Sequence, residues 1–327
     1  MSAADRDATL AERLGHAADA RLLIVNCDDL GSSHSANVAI ERAMAAGVAT
    51  SATLMVPCPW AREAARMFAG RDVGVHLTLT AEYPGYRWRS LTAAPSLHDE
   101  EGFMPATAAE VIARADVDAA RAECRAQVEQ ALAWGVDVTH LDSHMGTVQI
   151  DPRFFEIYLD LACEFCLPLR MPGEKGDAFL GFGGRRRARE RGILFPDHFI
   201  DPWGKATAEV FRSRLANLRP GLTEMFAHPV ADGPELRAYD PDAPDVRAGD
   251  AAWFVSGELK ALIAASGAAP ISYRPLREAQ RAAAGRDGAL VEPSMTTTPP
   301  RESARRLARL GGSEPNLEAP PRRRPAL

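Results

Sequence analysis

The sequence predicts an α/β protein: a distorted (β/α) barrel of TIM-barrel type with 7–8 mostly parallel strands. Three observations predict it. Short apolar runs alternate with amphipathic stretches from Arg21 to Tyr273, the pattern of βαβ units. Enough such units are present to close or nearly close a barrel, with an open doubly wound sheet as the alternative. Polar residues suited to chemistry recur where the apolar runs end, and that end of the strands is where α/β proteins keep their active sites. The glycine fingerprint of a dinucleotide site is missing after the first run, where only Gly31 stands.

In chain order, residues 1–20 are Ala-rich and read as a short helix or a loose arm. The stretch 22–31 is a buried strand that ends in Asp28, Asp29 and Gly31. Capping and solvation could account for one such carboxylate, less readily for two. Residues 35–46 read as a helix stopped by Gly47, 49–56 as strand two, 60–68 as its helix and 73–80 as strand three. Residues 81–106 hold several Pro and Gly with Tyr83, Tyr86 and Trp88, a long loop with exposed aromatics. The spacing then predicts one helix over 108–134, strand four at 136–142, a helix at 152–165 and a short strand five at 167–171. A Gly-rich loop over 172–196 follows. Strand six is expected at 198–200, a helix at 205–218, strand seven at 222–227, a loop at 229–244, a helix at 251–265 and a last strand at 269–273. The barrel thus covers 21–281. From 282 to 327 low-complexity runs such as Thr-Thr-Thr-Pro-Pro replace apolar periodicity, and a disordered tail is expected.

Composition bounds the function. A net charge of −6 and a pI of about 5.8 give no general basic footprint for nucleic acid. The tail holds seven Arg against three Glu over its last 28 residues; a basic tail could touch an acidic partner, but a solvated segment is the simpler account. No apolar run reaches the roughly 20 residues of a membrane span. The N-terminal segment lacks the apolar core of a secretory signal, so a cytoplasmic protein is expected. Five Cys, an odd number, argue against a disulfide framework. Cys163 and Cys166 have CxxC spacing without a second pair, and small core residues are the simpler account.

Collected at the strand ends are Asp28 and Asp29, His76, then His140, Asp142 and His144, then Arg170 and His228. His140, Asp142 and His144 would share a face if their strand stayed extended. A carboxylate with two imidazoles makes a mixed nitrogen–oxygen set that suits zinc or another divalent ion. Water activated by such an ion attacks a carbonyl, with a carboxylate as base and an imidazole as proton donor. Singly, each histidine is better explained as a hydrogen-bonded core residue, and only their common position at one end of the strands raises the joint reading.

The motifs carry a resemblance. Leu23-Ile-Val-Asn-Cys-Asp-Asp-Leu-Gly31 resembles the opening motif of the YdjC/ChbG (ChbG/HpnK-like) carbohydrate deacetylases. Gly47-Val-Ala-Thr-Ser-Ala-Thr-Leu-Met55, Gly74-Val-His-Leu-Thr-Leu-Thr80, Thr139-His-Leu-Asp-Ser-His144, Ala227-His-Pro229 and Ser272-Tyr-Arg274 are similar to the family's later blocks. The resemblance covers about 21–276. It implies a hydrolase that removes an N-acetyl group from an amino sugar or small oligosaccharide derivative, with one divalent metal ion, zinc or magnesium. It implies Asp29, His76 and His144 as metal ligands and Asp28 as the base. It implies His228 as acid or oxyanion stabiliser, and Arg170 as the residue that orients Asp28. Where many members carry one or two further histidines, this chain reads His144-Met145-Gly146-Thr147, so the pocket there differs. Trp88, Phe103 and the 173–184 loop are candidates for sugar-stacking walls or ordinary packing. The expected partner is a small N-acetylated sugar, with a homodimer left open. Hydrolysis of another amide or ester, or non-catalytic carbohydrate binding, are the alternatives on the same scaffold.

Overall fold

The first strand, β1 (Arg21–Leu30), is buried along all but its first residue because both of its faces are covered. Leu23, Val25 and Cys27 point outward into the main core with the helices. Leu22 and Ile24 point inward and meet Leu222, Tyr273 and Leu276. That alternation is the period of a strand, and burial on both sides is why the run reads as nearly all apolar. The computed structural model describes residues 8–202 and 205–285.

β1 pairs β2 (Ser51–Leu54) and β6 (Gly221–Ala227), β2 pairs β3 (Val73–Leu77), β3 pairs β4 (Val138–Ser143), and β5 (His198–Ile200) pairs β6. Every pair is parallel, and the order is β4-β3-β2-β1-β6-β5. Two-residue β7 (Ala269–Pro270) pairs the start of β1 at Leu22 and Leu23. The order follows the chain around a curled sheet, as the barrel reading requires. Strand five, expected at 167–171, is reduced to one bridge, Leu141 with Leu169. Among the described residues no ladder joins that segment to β5, so the barrel has a seam there.

Helices cover the outside: α2 (His34–Ala45), α3 (Ala61–Met67), α4 (Ala108–Arg114), α5 (Val117–Ala133) and α6 (Pro152–Glu164) on the first half. On the second half lie α7 (Glu174–Leu180), α8 (Gly184–Glu190), α9 (Thr207–Leu215), α10 (Pro234–Tyr239), α11 (Pro244–Phe254), α12 (Glu258–Ala265) and α13 (Arg274–Ala283). Before the barrel, α1 (Leu10–Arg13) is a single turn with a Thr9–Glu12 capping box, and its Ala11 packs beneath β1 with Leu22 and Leu276. None of the helices among the described residues is long and apolar enough to cross a membrane.

Several expected boundaries shift for local reasons. The helix expected over 108–134 breaks at Ala115 and Asp116, both extended, and Asp116 caps α5 through the Ala119 amide. The 172–196 segment is not a plain loop: Gly181, left-handed, ends α7 and Gly183, also left-handed, opens α8. The 229–244 loop contains α10, and the helix expected at 251–265 is α11 and α12 parted at Gly257. The 81–106 aromatics are not exposed as a group. Trp88 is buried and donates its Nε1 proton to the Thr80 carbonyl at 2.8 Å. The tail expected from 282 lies outside the described residues apart from 282–285.

Candidate active site

Two adjacent strand residues ordinarily point to opposite faces, yet Asp28 and Asp29 both turn inward. The register between β1 and β2 shifts between Cys27 and Leu30, and Asp29 sits in the left-handed region at φ 62°. A bulge of this kind re-aims side chains beside functional sites. Gly31 follows at φ 87°, and a Cβ there would lie 2.8 Å from the Ala61 Cα, so only glycine fits.

Asp29, His76 and His144 form a tight triangle. Asp29 Oδ1 lies 3.5 Å from His76 Nε2 and 3.3 Å from His144 Nδ1, and the two ring nitrogens are 3.3 Å apart. Asp29 Oδ1 is buried without a hydrogen-bond partner. Ligands on bonds of about 2.0–2.1 Å in a tetrahedral shell stand about 3.3–3.4 Å apart, so these three atoms fit one small divalent cation. The far nitrogens are each fixed by a carboxylate. His76 Nδ1 meets Asp142 Oδ1 at 2.5 Å, and His144 Nε2 meets Glu82 Oε2 at 3.0 Å. Carboxylates in that position orient metal-binding imidazoles and fix their tautomer. Burial alone would lower both histidines. Asp142 outweighs it and lifts His76 to about 9, while Glu82 and Asp29 lift His144 to about 10. A cation would take the place of those protons.

Asp28 belongs to a second group. Arg170 grips both of its oxygens, Nη1 to Oδ2 at 2.6 Å and Nη2 to Oδ1 at 2.7 Å, and Asn26 adds a bond to Oδ1 at 2.8 Å. Burial would raise this carboxyl, but Arg170 brings it down to about 2. Arg170 also reaches Asp142 Oδ2 at 2.9 Å and Glu224 Oε1 at 2.8 Å. Burial lifts Glu224 to about 7 against the pull of Arg170. His228, one residue past β6, has its Nε2 4.0 Å from Asp28 Oδ2. Burial keeps its ring below the usual histidine value against the opposing pull of Asp29.

The structure therefore brings Asp28, Asp29, His76, His144, Arg170 and His228 into one cluster. Asp142 joins it as the partner of His76, not of His144. His140 does not join: it stacks on Tyr273 at 3.7 Å and 8°, and burial keeps it neutral. It also crowds Gly74, where a Cβ would come within 2.6 Å of the ring. Trp88 packs 6.4 Å from His144, and the guanidinium groups of Arg87 and Arg89 each lie over the Phe103 ring, at 5.2 and 5.0 Å. Gly173 and Glu174 line a cleft with Asp197, His198, Phe199 and Arg219.

Three residues were missed. Glu82 follows strand three in the same loop, a signal that could have found it. Glu224 is a lone carboxylate inside an apolar strand, an anomaly visible in the sequence. Arg247 on α11 gave no signal, yet its Nη1 holds Asp29 Oδ2 at 2.8 Å while its Nε and Nη2 hold Asp240 and the Tyr83 hydroxyl.

Known proteins match most of the chain. A family model described as YdjC-like protein matches residues 22–265. The chain is 36% identical to a carbohydrate deacetylase of Thermus thermophilus over 278 residues, 83% of this chain and 98% of that protein. It is 33% identical to a carbohydrate deacetylase of Geobacillus stearothermophilus over 214 residues, 64% of this chain and 80% of that one. In fold it is similar to a crystal structure from Enterococcus faecalis V583 whose description proposes cellobiose-phosphate cleavage. That likeness has a TM-score of 0.65 at 23% identity, and it covers 79% of this chain and 99% of the other.

Proposed function

The chain belongs to the YdjC-like protein family, and from that membership we propose that it is a carbohydrate deacetylase that hydrolyses the N-acetyl amide of an amino sugar. The observation that carries the chemistry is the buried Asp29–His76–His144 triangle, with its unpartnered oxygen, beside a carboxylate held by arginine. Asp29, His76 and His144 would hold the divalent cation. Two ring nitrogens and one carboxylate oxygen favour zinc or another first-row ion over magnesium.

A cation there would polarise the acetyl carbonyl and lower the pKa of water from about 15.7 towards about 7, which a base as weak as Asp28 requires. Asp28 is ionised at any working pH and accepts the proton of the attacking water. The water oxygen bonds to the carbonyl carbon, and the carbonyl electrons move onto oxygen. His228, a neutral imidazole, donates a hydrogen bond to that oxyanion or to the leaving nitrogen. The C–N bond then breaks. The proton taken by Asp28 leaves with the amine, since a carboxylic acid of such low pKa gives it up readily. The products are acetate and the free amino sugar. Arg170 keeps Asp28 in place throughout. The five cysteines are all unpaired, which suits a reducing cytoplasm.

Acetate release from a panel of N-acetylated amino sugars and of non-sugar amides and esters tests the assignment. Turnover of the sugars supports it. Turnover confined to the non-sugar compounds would move the substrate class, and sugar binding without acetate release would make the chain a binding protein.

A further inference from the structure

At the centre of the barrel a carboxylate sits where an aliphatic side chain would be expected. Glu224 is the third residue after the start of β6 and is fully buried. It touches neither the Asp29–His76–His144 triangle nor Asp28. Its Oε1 accepts from Arg170 Nε at 2.8 Å, and its Oε2 accepts from the Tyr273 hydroxyl at 2.5 Å. Tyr273 is in turn pressed flat against His140. The Arg170 guanidinium lies over the Phe226 ring at 4.9 Å. Its Nη1 and Nη2 are spent on Asp28 and Asp142, so Glu224 is the partner that fixes Nε. A guanidinium gripped at Nε cannot turn in its own plane. A fork with two parallel bonds to Asp28 depends on that angle.

We propose that Glu224 is a positioning residue for the reaction: with Tyr273 behind it, it sets the plane of Arg170, and through Arg170 the direction in which Asp28 faces the substrate. A buried charge is costly, and leucine at this position would fill the barrel without that cost. This role rests on the deacetylase assignment above. It also gives a function to Tyr273 and His140, two residues of the sequence motifs that the catalytic cluster leaves aside.

A double-mutant cycle tests it, read by single-turnover acetate release from an N-acetylated amino sugar and by bound zinc. Glu224→Gln keeps the shape but weakens the grip on Nε. It should lower kcat on the order of 10–100-fold with KM and zinc occupancy near wild type, the signature of misplacement rather than lost binding. In an Arg170→Gln background the same substitution should cost almost nothing, because the residue through which it acts is gone. Tyr273→Phe should give a smaller loss that vanishes when combined with Glu224→Gln, and it decides the matter if Glu224→Gln does not fold. Wild-type kcat in Glu224→Gln, or an equal fractional loss with and without Arg170, would overturn the role. Absence of acetate release by the wild type would overturn the deacetylase assignment and this role with it; a failure of Glu224→Gln alone leaves that assignment standing.

Discussion

Asp28 and Asp29 are neighbours in sequence with opposite surroundings. Asp29 faces two imidazoles and one cationic side chain, Arg247, and keeps one buried oxygen without a donor. Asp28 has both oxygens filled by Arg170 and Asn26. That difference is why we propose different work for the two. Asp28→Asn should therefore keep bound metal and lose on the order of 10²–10⁴-fold in turnover; near-normal acetate release in that variant would mean another group is the base. Glu224 gives a pH signature of its own. Its folded-state pKa of about 7 lies above the ordinary glutamate value, so the native state holds its proton more tightly than the unfolded chain does. Stability from this group is full at low pH and is lost as pH rises through about 7. Glu224→Gln removes that loss. The melting-temperature difference between the variant and wild type should grow in the variant's favour from pH 5 to pH 8, and a flat difference would contradict the placement of the charge. At this scale the sequence showed Asp28, Asp29, His76, His144 and His228 because each falls at a strand end. It did not show Arg247, because a helix far along the chain carries no mark of where it folds back. Nor did it show the bulge at Asp29, since strand alternation would have sent one of the two carboxylates outward.

Elements hold the site by pinning the long segment between β3 and α4. Gln127 on α5 bonds both the amide and the carbonyl of Thr78, and Glu123, one turn earlier, accepts from the Leu91 and Thr92 amides and the Thr92 hydroxyl. That segment carries Glu82 and Tyr83 to the cluster. Glu123→Ala leaves those donors without an acceptor, at a cost of about 1–3 kcal/mol. Hydrogen exchange should rise at Leu91 and Thr92 well before the strands open, and unchanged protection would show that the pin is dispensable. The sequence could not reveal this anchor, since a buried glutamate on an Ala-rich helix looks like any solvated one. Glycine density misled in the same way over 172–196. There Gly181 and Gly183 are the ends of two short helices rather than the body of a loop. The strands were legible because β1, β2, β3 and β6 are short runs buried on both faces, so each reads as a mostly apolar segment. The segment at 167–171 was apolar enough to read as a strand, but its pairing with β4 stops at Leu169.

For the barrel as a whole, side chains do at the seam what a strand ladder does elsewhere. Arg170 follows Leu169 at the gap and reaches Asp28 on β1, Asp142 on β4 and Glu224 on β6, with Phe199 of β5 beside its guanidinium. One residue thus bridges three strands across the gap and holds the carboxylate we propose as the base. Arg170→Met would strand three buried carboxylates and should cost about 3–5 kcal/mol in unfolding free energy, besides lowering turnover. A variant of wild-type stability would remove Arg170 from the closure. The central claim is that Asp29, His76 and His144 hold one divalent cation for the deacetylation. Equilibrium dialysis against zinc, run together with acetate release, tests it most directly. Wild-type protein should bind roughly one ion per chain, and His76→Ala should lose both the ion and the activity. Full zinc occupancy with undiminished acetate release in His76→Ala would contradict the account.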